Sequence, residues 1–262
     1  MTMLPPPDRT DRAAVPYAFR YRLPEEFVTV PDPTTVEGWE TALAELMPGA
    51  DALERVQSAE RMRHSLPMFL DRDDTLVDIA MCLGAERVRD EDKLSYGLLV
   101  VSVRPSGHDD RLLAAEGIYR AKERLFFTRE AEVEELDFAL GKGGRGQQDM
   151  LLAAKLPGGP GVMSASLRTV ELRTAGQAAS GGEDAAAQKI PMAVLQLICP
   201  APRDYCTYIT IATPSVYLLD SYTERLAHIG RTFVFEAPTP LTEAGRPPTA
   251  QAAAGTSHGD GA

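Results

Sequence analysis

Apolar positions alternate with polar ones along several short stretches and recur every three or four residues along others. The chain therefore reads as strands interleaved with a few helices. Residues 17–23 (YAFRYRL) alternate aromatic with basic side chains, the signature of a half-buried strand, which Pro24 ends. Trp39, Leu43, Leu46 and Met47 predict a helix that Pro48-Gly49 breaks. A second helix is expected from Asp51, with Leu53, Val56 and Met62 on its buried stripe. Residues 76–83 (LVDIAMCL) and 95–104 (SYGLLVVSVR) predict neighbouring antiparallel strands, joined by the charged stretch 86–93. Residues 111–127 predict a helix carrying Leu112, Leu113, Ile118, Tyr119 and Leu125.

The second half reads as hairpins. After an acidic stretch (130–137) and a Gly-rich one (141–146, GKGGRG), residues 150–156 and 162–173 flank the reversal PGGPG. Residues 174–188 lack any apolar period and are expected to form a mobile loop, and residues 190–199 and 206–213 predict a hairpin around PAPRDY. Thr213-Pro214-Ser215 suits a helix start, with Leu218, Leu219, Tyr222, Leu226 and Ile229 as the buried face. Gly230 is expected as a left-handed C-terminal cap with His228 in the last turn, and residues 232–236 (TFVFE) as a closing strand. The sum is an α+β fold, mostly antiparallel sheet with helices packed on it.

Both ends of the 262-residue chain are Pro-rich and poor in large apolar residues, so residues 1–15 and 238–262 are expected to be disordered tails around a single domain at 16–237. The net charge of −11 argues against a nucleic-acid partner, whose phosphates call for Lys and Arg. No apolar run reaches the length of about 20 residues that a membrane span needs. Cys82, Cys199 and Cys206 make an odd count without a C-x-x-C pair, and no leader-like apolar stretch opens the chain. A cytoplasmic location is the expectation, and the Ala-, Arg- and Pro-rich composition suits an actinobacterial source.

One motif carries candidate chemistry. In residues 67–80 (PMFLDRDDTLVDIA) an apolar run precedes D-x-D-x-T-L, which resembles the first motif of haloacid-dehalogenase-like phosphatases. The resemblance implies Asp71 as nucleophile, Asp73 as general acid, a Mg²⁺ ion beside them, and Ser102 at a strand end as a second-motif residue. Asp74 stands where that family places a small residue, no downstream Lys is singled out, and no late acidic pair follows a strand. Asp71 to Asp74 also spell the D-x-D-D of class II terpene cyclases, all-helical proteins whose aromatic pockets this composition does not match. GKGGRG lacks phosphate-loop spacing, His64, His108 and His258 lack metal-ligand spacing, and the acidic stretch 130–137 lacks a calcium-loop Gly. Cys206, near Asp204 and Tyr208, reads as a packed thiol rather than a nucleophile. No catalytic residue, cofactor or metal is therefore assigned, apart from Asp71 and Asp73 in the phosphatase alternative.

The C-terminal half runs LPGGPGV, IPMAVLQLIC, a P-x-P turn at Pro200 and Pro202, CTYITIATPS, a helix and RTFVFE. With YAFRYRLPEEFVTV at the start, this resembles PsbP-like and DcrB-like domains. The resemblance implies a sandwich of sheet and helices that binds rather than catalyses. The function expected is a non-enzymatic cytoplasmic binding or accessory protein, such as a chaperone or a component of a secretion or assembly system, whose partner is another protein.

Overall fold

Long runs of branched residues reverse at tight turns, and those turns set the sheet. The computed structural model describes residues 17–129, 150–172 and 188–236. The expected tails, the acidic and Gly-rich stretches and residues 174–187 of the expected loop lie outside them. In chain order the elements are β1 (Phe19–Arg20), β2 (Val28–Thr29), α1 (Val36–Leu46), α2 (Ala52–Ser65), β3 (Thr75–Val88), β4 (Glu91–Pro105) and α3 (Arg111–Arg129). There follow β5 (Met150–Leu156), β6 (Gly159–Leu172), β7 (Gln188–Ala201), β8 (Tyr205–Thr213), α4 (Leu219–Thr232) and β9 (Val234–Phe235). The seven-stranded sheet has the order β2-β3-β4-β8-β7-β6-β5, with every neighbouring pair antiparallel. β1 pairs with β9. The fold is α+β and mostly antiparallel, as the pattern predicts.

Each strand presents alternate residues to opposite faces. On one face Leu99, Val101, Leu195, Leu197, Ile209 and Ile211 pack under Leu218 and under α4 through Tyr222, Leu226 and Ile229. On the other face Ile79, Met81, Leu98 and Val100 pack under α1 and α2 through Trp39, Leu43 and Ala59. That second helical cover stops at β4. Further along the same face α3 lies over β5, β6 and β7, with Ile118 against Ile198, Cys206 and Tyr208. Between the two helical covers no described element lies over the middle of the sheet.

Several expectations need correction. The first strand pairs over only Phe19–Arg20, although Phe19 and Tyr21 still pack on the core as the alternation requires. The charged stretch 86–93 is not a connector but the end of a hairpin. Its turn is Arg89-Asp90, both at positive φ (48° and 68°). On α2 the buried residue is Ala59, and Leu53 is exposed. On α3 Leu112 and Leu113 are likewise exposed, whereas Ala114 and Ala115 are buried. Residues 216–218 form a 3-10 turn before α4 begins. Gly230 is no cap: α4 continues to Thr232, and Gly230 is buried where an added Cβ would stand 3.1 Å from Leu197 Cδ2.

Candidate functional site

Over the middle of the sheet the described residues line a cleft of about 650 Å³, within the range of roughly 300–1,000 Å³ typical of small-molecule sites. Its floor follows from register. Thr210 stands opposite Gln196 across β8 and β7, and Gln196 opposite Ser164 across β7 and β6. Ser166 and Ser102 line the same cavity. Gln196 Nε2 donates to Thr210 Oγ1 at 3.0 Å. Hydroxyls and an amide thus stand where the flanking parts of this face carry Leu, Ile and Val. Met68, Phe69 and Leu70 form an apolar wall on the α2 side.

Charges rim this floor. Arg104, near the end of β4, lies over the Tyr208 ring at 3.8 Å from its centroid. It donates to Asp71 and has Asp74 Oδ1 3.9 Å from its Nε. Asp71 and Asp74 close their own turn, since the Asp71 N–H donates to Asp74 Oδ2 at 3.0 Å and the Asp74 N–H to the Asp71 carbonyl at 3.1 Å. Asp74 Oδ1 is buried and accepts no hydrogen bond among the described residues. On the opposite rim stand Lys122 from α3 and Arg168 from β6. Burial, with Arg168 and Arg104 close by, pushes the Lys122 ammonium down to about 8. Among the described residues no carboxylate pairs with either Lys122 or Arg168.

The structure therefore separates the two aspartates of the phosphatase resemblance. Asp71 lines the cleft, together with Ser102, but it is ion-paired to Arg104; Asp73 is exposed. The turn that holds them leads into β3, in a sheet whose pairs are all antiparallel. Among the described residues no three His, Cys, Asp or Glu side chains gather as a metal site. All three cysteines are buried and free. Burial raises the Cys199 and Cys206 thiols to about 12 and about 11, so neither is a thiolate near neutrality. His64 is exposed on α2, and His108 is exposed ahead of α3. Lys122, Arg168 and the Ser164–Gln196–Thr210 row were not singled out from sequence.

A second polar cluster lies on the α4 face. Arg225 donates to Glu26 Oε1 at 2.8 Å and to Glu86 Oε1 at 2.5 Å. Glu86 also accepts from Ser95 at 2.5 Å and Ser221 at 2.7 Å, and Ser95 meets the Tyr222 hydroxyl at 2.9 Å. Two glutamates share the one Arg225 guanidinium, and the cluster fastens elements together.

No family model matches the chain, and no curated protein matches it. What fold and site define among the described residues is a class: an α+β protein whose antiparallel sheet, helix-covered on both faces, leaves a polar cleft between two helical covers. No described helix is long and apolar enough to cross a membrane.

Proposed function

We propose that this is a non-enzymatic binding protein, an accessory subunit or chaperone that works in the cytoplasm by holding another protein. The observation that carries this reading is the sheet floor that no described element covers. Ser102, Ser164, Ser166, Gln196 and Thr210 line a cavity large enough for a ligand or an inserted side chain. Side chains that donate and accept hydrogen bonds give recognition, and the described residues around them include no activated nucleophile. Ser166→Trp, which would fill the cleft, tests it. Proteins captured from native extract by the full chain and by this variant are compared quantitatively. A partner lost only with the variant is the expected result; identical partner sets for the two would remove the cleft from the binding reading.

One observation favours a second reading, phosphate-ester hydrolysis: Asp71 and Ser102 line the same cleft. A free carboxylate is needed for attack, and Arg104 holds Asp71 by charge-assisted bonding, which weakens it as a nucleophile. Hydrolysis of a chromogenic phosphate with Mg²⁺ is therefore expected at background, unchanged in Asp71→Asn. Turnover by the parent that the variant lacks would reverse the order of the two readings.

A further inference from the structure

The two rims of the cleft are electrostatically unequal. Arg104 meets two carboxylates, Asp71 and Asp74. Lys122 and Arg168 meet none among the described residues, yet they line the same cavity and lie close enough to repel each other. Like charges beside a partly desolvated floor raise the free energy of the empty protein. That cost is removed when an anion enters between them.

The floor says which anion. Ser164 and Ser166 beside these cations carry hydroxyl donors, and Gln196, one N–H of which goes to Thr210, offers its other amide N–H in the same row. A phosphoryl group has three acceptor oxygens and, as a monoester, roughly −1.5 to −2 charge near neutrality, which these two cations, without a counterion among the described residues, match. A carboxylate supplies one charge and two oxygens, and leaves one cation unmatched. Across the cleft Asp74 Oδ1, which accepts no hydrogen bond among the described residues, is an acceptor for a hydroxyl on the ligand body, and Met68, Phe69 and Leu70 offer an apolar wall.

We infer that the cleft is a phosphate-monoester site, in which Lys122 and Arg168 hold the phosphoryl group and Ser164 and Ser166 donate to its oxygens. This rests on the cleft being the recognition site of a binding protein. It adds the chemistry of what is bound, whether a free small ester or a phosphorylated side chain on the partner.

Calorimetric titration of the full chain at low salt tests it, with phenyl phosphate, a phosphoserine peptide and inorganic phosphate as probes and benzoate as the singly charged control. Saturable binding of at least one ester is expected, with benzoate at least about tenfold weaker. Lys122→Met and Arg168→Gln are each expected to weaken the ester by about tenfold or more, while the empty variants stay folded by thermal melting. A preference for phenyl phosphate over the peptide marks a free metabolite-like ligand; the reverse preference marks a phosphorylated partner. The inference falls if neither ester binds saturably, if both substitutions leave binding intact, or if benzoate binds as tightly as phenyl phosphate. Partner loss on Ser166→Trp alongside absent ester binding would overturn this inference alone and leave the binding function standing.

Discussion

Lys122 and Arg225 are both cations drawn out of water, and their surroundings are opposite. Arg225 is buried among two glutamates; burial alone would weaken its proton, but Glu26 and Glu86 more than offset that and hold its pKa above the ordinary value. Removing it strands those carboxylates, so Arg225→Met is expected to cost about 3 kcal/mol, seen as a lower urea midpoint with the slope preserved. Arg225→Lys should recover only part, because an ammonium cannot fork to both glutamates. Lys122 is faced by Arg168 of β6 and Arg104 of β4, with Asp71, Asp74 and Tyr208 grouped around Arg104. Its folded pKa lies at about 8 against an ordinary 10.5. The protonated side chain therefore opposes folding at neutral pH, and stability rises as pH climbs from about 8 toward 10.5, where only the unfolded chain keeps the proton. Lys122→Met is accordingly expected to stabilise the empty protein at pH 7 by about 1–3 kcal/mol, with the advantage shrinking by pH 9.5 in parallel denaturant titrations. A residue that makes the resting protein less stable belongs with function rather than with the fold.

At the scale of elements, the hairpins were legible because alternation and turn residues agree. The β3–β4 turn shows what was not. Arg89 and Asp90 hold positive φ, a conformation that Asn-Gly adopts with less strain, and nothing in their charges announces a two-residue reversal. Replacing them with Asn-Gly is expected to add about 0.5–1 kcal/mol, readable as a higher melting temperature at constant pH. The helix faces misled for a single reason. Ala59 joins Trp39, Ala42 and Leu43 in one cluster, and Ala114 and Ala115 are the buried residues among those of α3 whose side chains are described, so these close contacts are made by alanines. A reading that weighs Leu53, Leu112 and Leu113 by their size turns those helices the wrong way. Gly97 teaches the same lesson in a strand. An added Cβ would stand 2.6 Å from Tyr222 Cε1, so Gly97→Ala must displace that ring and its contact with Ser95. A loss of about 2 kcal/mol in chemical denaturation is expected.

Across the whole molecule, the site was hidden because its parts come from distant stretches that each look ordinary alone. Ser164, Ser166, Gln196 and Thr210 alternate with apolar neighbours and so resemble the wet face of a sheet. Only the strand order shows that adjacent strands carry this polarity side by side between two helical covers. The Arg225 cluster has the same dispersed origin and a different consequence. Glu26 precedes β2, Glu86 is on β3, Ser95 is on β4, and Ser221 and Arg225 are on α4, so one set of contacts clasps the start, middle and end of the described chain. Burial would raise both glutamates, but the hydrogen bonds from Ser95, Ser221 and Arg225 to Glu86, and those at Glu26, outweigh it and hold both below their ordinary value of 4.5. The stability they contribute is present above that value and is lost as pH falls through the lower folded values, because the unfolded chain takes up the protons first. Acid should therefore release the clasp as a unit. Fluorescence of Trp39, which belongs to the opposite face of the sheet, is expected to report unfolding at the same pH as circular dichroism. Glu86→Gln should lower stability at pH 7 and flatten its dependence as pH falls below the ordinary carboxylate value of 4.5, since about one of the protonations that drive the transition is gone. A variant whose acid limb keeps the parent's slope would mean that other carboxylates, outside this clasp, set the acid stability of the fold.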